Sequence, residues 1–168
     1  MSFPSGYFDL VSISNALHHL HPQGNGLKEI KRVMAVDGHF LVVEFYHDHQ
    51  SPSQMSHVLY HHFCAEIDTR NDIYHGYTFK RQEIIDQLKK ASFQIDAVFD
   101  HYGEQDNLRN SKFIDFIIDS MEQYITKAQH FHDFYKFEKQ REIILGHLDT
   151  HGISQPTQLV IIGSQGKV

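Results

Sequence analysis

Two adjacent histidines follow the first apolar segment of the chain. Phe8–Ile13 is short, β-branched and mostly apolar, which is typical of a strand buried on both faces, and His18 and His19 come shortly after it. An imidazole titrates near neutral pH, so a histidine at this place could take a proton from a nucleophile as a general base. The alternative is that one histidine packs in the core while the other contacts a substrate or a helix. His18 and His19 are therefore candidate catalytic residues.

A second polar group follows the next apolar segment. His39–Phe45 has the composition of another buried strand, and Tyr46, His47 and His49 come directly after it. In open parallel sheets, ligands bind beyond the carboxyl ends of the strands, so both groups are expected to border one crevice. His47 is a third candidate catalytic residue, and Tyr46 and His49 are candidate substrate contacts.

The segment over residues 47–77 is rich in His and Tyr. We expect it to fold over the crevice as a lid, because lids commonly carry substrate contacts, and Tyr74 is its candidate contact. A helix is predicted over Gln54–Asp68, opened by the Ser-Pro-Ser turn that precedes it.

Histidines and the single cysteine of this segment do not have the spacing of a metal site. The run H-H-x-C ending at Cys64 is not a recognised zinc pair, and His75 stands apart from it. His57 and His61, at i and i+4, could form one edge of a site, but a solvated helical face explains them equally well. No metal site is predicted.

The remaining pattern indicates one α/β domain over residues 1–168. A helix from Leu27, with Met34 on its apolar face, is expected to end at Asp37-Gly38 after a break at Gly24–Gly26. Further helices are predicted after Thr78 and Ser111, each taken as an N-cap. The four predicted strands are 8–13, 39–45, 95–102 and 158–163.

Composition excludes several classes of protein. The 168 residues carry a net charge of −6, which does not favour binding to a phosphate backbone, so no nucleic-acid partner is expected. One cysteine excludes an intrachain disulfide framework and fits a reducing compartment. The absence of a long apolar run argues against a membrane helix or a membrane partner. A cytoplasmic location is therefore expected.

Two quoted segments resemble a known family. "FDLVSISNALHHL" and "LKEIKRVMAVDGHFLVVEF" are similar to the second half of class I S-adenosylmethionine-dependent methyltransferases. The usual Pro-Gly-Gly-like turn is replaced by Val-Asp-Gly, while "YTFKRQEIIDQLKKASF" and "QPTQLVIIGSQ" resemble the family's next helix and its last, antiparallel strand. The resemblance implies a partial Rossmann-like sheet made of strands equivalent to the fourth to seventh of the family.

The same resemblance implies a cofactor and a reaction. Ser14, Asn15, Ala16 and Leu17 would line the S-adenosylmethionine site, and the reaction would be methyl transfer to a small-molecule acceptor. The family's Gly-rich cofactor turn, G-x-G-x-G, is not found in the sequence. The chain is therefore expected to be a truncated or split methyltransferase that binds cofactor weakly or not at all by itself, with residues 104–152 as inserted helices.

A second hypothesis comes from another functional class. The chain could be a non-catalytic interaction or dimerisation module derived from a methyltransferase. In either case the strand at Phe8–Ile13 is expected to have an uncovered edge, and to pair with a second copy or with a complementing N-terminal chain.

Overall fold

The structure, a computed structural model, describes residues 2–103 and 109–165. Two compact units divide the chain: the first comprises Met1–Asp48, Phe79–His101 and Thr157–Val168, and the second comprises His49–Thr78 and Tyr102–Pro156. The first few residues of the predicted insertion at 104–152 lie outside the described residues.

Strands and helices alternate in the first part of the chain, and helices predominate thereafter. In chain order they are β1 (Phe8–Ser14), α1 (Gln23–Val33), β2 (Met34–Phe45), α2 (Pro52–Arg70), α3 (Arg81–Lys90), β3 (Gln94–His101), α4 (Ser111–Ala128), α5 (Phe134–His151) and β4 (Gln158–Ser164), with a 3-10 turn at Leu17–His19 after β1.

The first unit contains a four-stranded mixed sheet in the order β1-β2-β4-β3. Strand β1 is parallel to β2, to which α1 connects it, and β4 lies antiparallel between β2 and β3. A crossover helix between neighbouring strands gives a parallel pair, as the strand–helix–strand pattern predicted. The α/β class, the four strands and the antiparallel last strand are thus confirmed.

The connection from α1 to β2 differs from the prediction. Helix α1 already ends at Val33, and Met34 is extended (ψ 139°) as the first residue of β2, where it pairs with Phe8. Asp37-Gly38, predicted to stop the helix, instead lies inside β2. β2 therefore begins earlier than its apolar run suggested, and the sheet register shifts between Phe8 and Leu10.

The glycines that were expected to break the chain lie in the first turn of α1. This turn begins after Pro22, whose carbonyl accepts from the N–H groups of Asn25 at 3.0 Å and of Gly26 at 3.3 Å, so the segment is helical and does not break the chain. A Cβ on Gly26 would lie 3.0 Å from Cδ1 of Leu20, which explains the need for a small residue at that position.

The core of the first unit forms where α1 and α3 pack on the sheet. Its buried apolar residues are Leu17, Leu27, Ile30, Met34, Phe40, Val42, Tyr46, Ile84, Ile85, Leu88, Phe93, Leu159 and Ile161. Helix α3 begins after Lys80, whose backbone N–H donates to Glu83, so the prediction of Thr78 as its N-cap is wrong. Thr78 instead bonds through Oγ1 to Nε2 of His62 within the second unit, at 2.8 Å.

The second unit is built from α2, α4 and α5. Helix α2 opens with a capping box, in which Oγ of Ser51 accepts from the N–H of Gln54 and the Gln54 side chain accepts from the N–H of Ser51. The helix predicted over Gln54–Asp68 is confirmed and is slightly longer. Helix α4 is capped by the side chain of Asn110 rather than by Ser111.

The core of the second unit lies among these three helices. Its buried residues are Phe63, Cys64, Ile67, Ile117, Met121, Ile125, Ala128, Phe137, Ile144, Leu148 and Ile153. Among the residues that the structure describes, no helix has both the length and the apolar character needed to cross a bilayer.

Candidate functional site

Hydrogen bonds of Asn15 hold the end of β1 to β2 and to β4. This residue has a left-handed backbone (φ 45°), which asparagine tolerates better than most residues. Its N–H donates to the carbonyl of Val43 at 2.8 Å, and its Oδ1 accepts from the N–H of Phe45 and from Nε2 of Gln158, each at 3.3 Å. Asn15 therefore fixes the turn at the carboxyl end of β1 against β2 and β4.

A buried carboxylate holds the next part of the turn. Glu44, on β2, is fully buried, and its Oε2 accepts from the backbone N–H of Ala16 at 3.0 Å and of Leu17 at 2.9 Å. Its Oε1 bonds to Nδ1 of His18 in a short contact. A buried charge is tolerated only when it is hydrogen-bonded, and these three donors meet that need.

Glu44 was not among the site residues predicted from the sequence. The available signal was the one charged residue inside the apolar run Phe40–Phe45 of β2. Such a residue is rare in a buried strand unless it has partners, and its partners here come from a turn about 27 residues earlier in the chain.

The two predicted histidines lie in different environments. His18 is buried beside the ring of Phe45, with ring centroids 5.7 Å apart, whereas His19 is exposed. Because the Glu44 carboxylate can only accept a hydrogen bond, it favours a proton on Nδ1 of His18. His18 thus has the orientation of an imidazole held by an acid.

Tyr46 and His47 follow β2. The buried Tyr46 directs its hydroxyl to Oδ1 of Asp100 at 3.3 Å, and Nε of Arg81 donates to the same oxygen at 2.9 Å. His47 is half-buried, and its N–H donates to the carbonyl of Phe79 at 3.1 Å. A substrate atom that accepted a hydrogen bond from the Tyr46 hydroxyl would therefore compete with Asp100.

The other predicted substrate contacts, His49 and Tyr74, belong to the second unit. His49 is exposed and has a positive φ of 55°. Tyr74 is 45% exposed and lines a groove of about 360 Å³ that Arg70, His75 and Tyr77 also line.

The turn after β1 has one side directed inward and one outward. The backbone N–H groups of Ala16 and Leu17 are bound to Glu44, whereas the side chains of Ser14 and Asn15 are exposed. This turn can offer a ligand a hydroxyl, an amide and a small side chain, at the strand end where open sheets bind ligands. Glu44 is fully buried beneath this turn and already accepts from three donors of the chain, so it is not exposed to a ligand.

One family model matches the sequence. It describes a methyltransferase domain and covers residues 1–42, which comprise β1, α1 and most of β2. No curated protein matches the chain.

Solved structures match over nearly the whole chain at low sequence identity. The YcgJ protein from Bacillus subtilis has 18% identity and a TM-score of 0.54, over all of this chain and 68% of its own. A cyclopropane-fatty-acyl-phospholipid synthase-like protein from Lactobacillus casei has 11% identity and a TM-score of 0.68, over 94% of this chain and 56% of its own. A SAM-dependent methyltransferase from Methanosarcina mazei has 14% identity and a TM-score of 0.52, over all of this chain and 64% of its own.

At these identities the structural matches establish the fold, and the chain spans between about half and two-thirds of the length of these three proteins. The family model adds a sequence match in the segment that holds the turn after β1. The chain therefore has the fold of these solved structures, and within residues 1–42 its sequence is similar to a methyltransferase domain, as its motifs predicted.

Proposed function

We propose that this chain takes part in S-adenosylmethionine-dependent methyl transfer to a small-molecule acceptor, with the turn Ser14–Leu17 as its contribution to the cofactor site. The observation that supports this most directly is the position of the turn. It lies at the carboxyl end of β1, is held by Asn15 and Glu44, and belongs to the segment that the methyltransferase-domain model matches.

The residues fit one wall of a cofactor site. Ser14 and Asn15 present exposed polar side chains. The buried carboxylate of Glu44 holds the backbone of Ala16 and Leu17 in place by accepting from their N–H groups. S-adenosylmethionine supplies an electrophilic methyl group on a sulfonium centre. Methyl transfer depends mainly on the alignment of the acceptor with that group, so a rigid turn is a suitable positioning element.

His18 is the residue proposed to handle the proton of the acceptor. Its Nδ1 is held by Glu44, so a proton leaving an acceptor hydroxyl or amine would be taken by Nε2. His19 and His47 stay proposals as further catalytic residues, and Tyr46, His49 and Tyr74 as substrate contacts.

We further propose that the isolated chain binds the cofactor weakly. The Gly-rich turn that supplies many polar contacts in such sites is not found in the sequence, and the carboxylate of Glu44 is already occupied by three donors. The remaining contacts would come from exposed Ser14 and Asn15 and from the half-buried Ala16.

The test is a titration of the ¹⁵N-labelled chain with S-adenosylmethionine, followed by amide resonances. We expect saturable shifts in residues 14–19 at millimolar rather than micromolar concentrations. Asn15→Gly keeps the positive φ but removes the amide side chain, and it should weaken binding several-fold.

The matched control for this titration is Asn25→Gly, an exposed asparagine in the first turn of α1. It should leave binding unchanged. The cofactor proposal fails if no amide of residues 14–19 shifts, or if both variants weaken binding equally. A micromolar or tighter affinity at a single site would refute the proposal of weak binding and leave the site proposal intact.

A further inference from the structure

Three side chains of the second unit form a linked cluster that the proposed methyl transfer does not use. His61 and Asp68 lie on α2, and His75 lies on the segment that follows this helix. Nε2 of His75 is 3.1 Å from Nε2 of His61, while Nδ1 of His75 is 2.9 Å from Oδ2 of Asp68. Two imidazole nitrogens therefore face each other, and one of the two rings is held by a carboxylate.

The spacing of the two nitrogens matches a shared metal ion. Zinc binds histidine nitrogen at about 2.0–2.1 Å in tetrahedral sites, so two such ligands lie roughly 3.3–3.4 Å apart. The observed 3.1 Å differs from this by a few tenths of an ångström. We propose that His61 and His75 together bind one transition-metal cation of the class that imidazole prefers, such as Zn²⁺, Ni²⁺ or Cu²⁺.

Asp68 has the place of a supporting residue in this site. A histidine that binds metal through one nitrogen usually donates its other N–H to a carboxylate or carbonyl, which fixes the ring and makes the ligand more basic. Asp68 does this for His75, and it is itself buried and fixed by the hydroxyl of Tyr124 at 3.0 Å and by Nζ of Lys127 at 3.6 Å. The metal-facing nitrogen of His75 is thereby oriented before any ion binds.

The competing explanation is a simple hydrogen bond between the imidazoles. In that case a proton lies between the two Nε2 atoms, with Asp68, His75 and His61 forming a chain of hydrogen bonds. A metal ion replaces that proton, so the two explanations differ in whether both Nε2 atoms take up a cation at neutral pH.

The pairing could not be expected from spacing in the sequence. His61 and His75 are 14 residues apart and come together only because the chain turns back after α2. His57, the helical neighbour considered from the sequence, contacts the rings of Tyr60 and Phe113. The groove of about 360 Å³ lined by Glu66, Tyr74 and His75 adjoins the proposed site.

The test is a titration of the tag-free chain with Co²⁺ and Zn²⁺, followed by visible absorption and calorimetry. We expect one ion per chain. His61→Gln and His75→Gln should each weaken binding at least tenfold, and Asp68→Asn should weaken it roughly ten- to a hundredfold through loss of the supporting carboxylate.

The control is His151→Gln, because His147 and His151 form another histidine pair, on α5, with ring centroids 4.5 Å apart. This variant should leave binding unchanged. Binding that survives both His61→Gln and His75→Gln, or that is lost in His151→Gln instead, overturns the proposal, as does the absence of saturable binding at one ion per chain.

A second readout covers the possibility that Asp68→Asn does not fold. In the unaltered chain, the imidazole ¹⁵N resonances of His61 and His75 should move together at one equivalent of Zn²⁺. If they stay in place while other histidines move, the ion binds elsewhere and the proposal is wrong.

Discussion

At the scale of single residues, Glu44 is the side chain on which the geometry of the candidate site depends. It is fully buried on β2, and its two oxygens receive the N–H groups of Ala16 and Leu17 and Nδ1 of His18. Because the turn after β1 and the catalytic candidate share this one carboxylate, a change at Glu44 should alter stability and histidine chemistry together.

Two substitutions at Glu44 separate these effects. Glu44→Ala removes the acceptor of three donors, those of Leu17 and His18 being buried and that of Ala16 half-buried, and we expect it to lower the free energy of unfolding by about 3 kcal/mol or more. Glu44→Gln keeps one oxygen for the turn but presents an amide to His18, and it should cost only about 1–2 kcal/mol. Urea unfolding measures both values.

Glu44→Gln should also change the tautomer of His18. The amide can donate to Nδ1, so the proton of the neutral ring should move from Nδ1 to Nε2. Imidazole ¹⁵N chemical shifts report this directly. If the proton stays on Nδ1 in the variant, Glu44 does not set the tautomer.

Part of this site could be predicted from the sequence, because strand ends are recognisable from their apolar runs. The turn Ser14–Leu17 and the two histidines after it were placed at the end of β1 in this way. The direction in which each side chain points was not predictable. The buried position of His18 and the exposed position of His19 follow from the backbone path after Asn15, whose positive φ has no unique signature in the sequence.

At the scale of secondary structure elements, β4 lies between β2 and β3 and has no room for a side chain at Gly163. An added Cβ at Gly163 would lie 2.1 Å from the carbonyl oxygen of Gln94, on the paired strand β3, and 2.5 Å from Cε1 of Phe40, on β2. No rotation of a side chain removes a clash with a backbone oxygen.

We therefore expect Gly163→Ala to lower the free energy of unfolding by about 3 kcal/mol. Gly146→Ala is the matched control, because Gly146 is exposed inside α5 and an added Cβ there meets nothing within 4 Å. It should raise stability by up to about 1 kcal/mol. Chemical unfolding of the two variants in parallel checks the prediction, and equal effects would contradict it.

The identity of the elements was more predictable than their ends. The four strands and the main helices have distinct apolar periodicities, which tertiary contacts reinforce. The ends of an element depend on whether its terminal residues continue it or bond to a neighbouring element instead. Met34 fits the apolar face of α1, but it pairs with Phe8 as the first residue of β2, and Thr78 bonds to His62 instead of capping α3.

At the scale of the whole molecule, stability should depend on pH through a half-buried histidine. Burial lowers the pKa of His57 from 6.5 to about 4. Between those two values the unfolded chain binds more protons than the folded chain, so stability is full above pH 6.5 and falls as the pH drops towards 4. The loss between pH 7 and pH 5 should be about 2 kcal/mol.

The variant His57→Phe should reduce this loss, because it keeps a ring beside Tyr60 and Phe113 but cannot take up a proton. The comparison needs urea unfolding at pH 7 and pH 5 for both proteins. His132→Gln is the control, since the side chain of His132 is 92% exposed. An unchanged pH dependence in His57→Phe would show that other groups are responsible.

The last prediction concerns the outer edge of the sheet. Among the described residues, β1 pairs only with β2, and Leu10 on β1 is 60% exposed beside Tyr7 at 61% and Phe3 at 45%. An apolar edge strand with unpaired backbone groups tends to pair with another strand. We propose that two copies of the chain pair through β1 about a two-fold axis, which would cover the same surface on both.

Sedimentation should therefore show a dimer whose formation depends on concentration. Val11→Lys should disrupt it, but Val11 also packs against the core of the first unit, so the exposed Leu10→Lys is the cleaner variant. Val36→Lys introduces the same charge at a residue that is 86% exposed on β2 and should leave the dimer intact. A chain that stays monomeric at high concentration, or a dimer that Leu10→Lys does not weaken, would show that a second copy does not cover this edge.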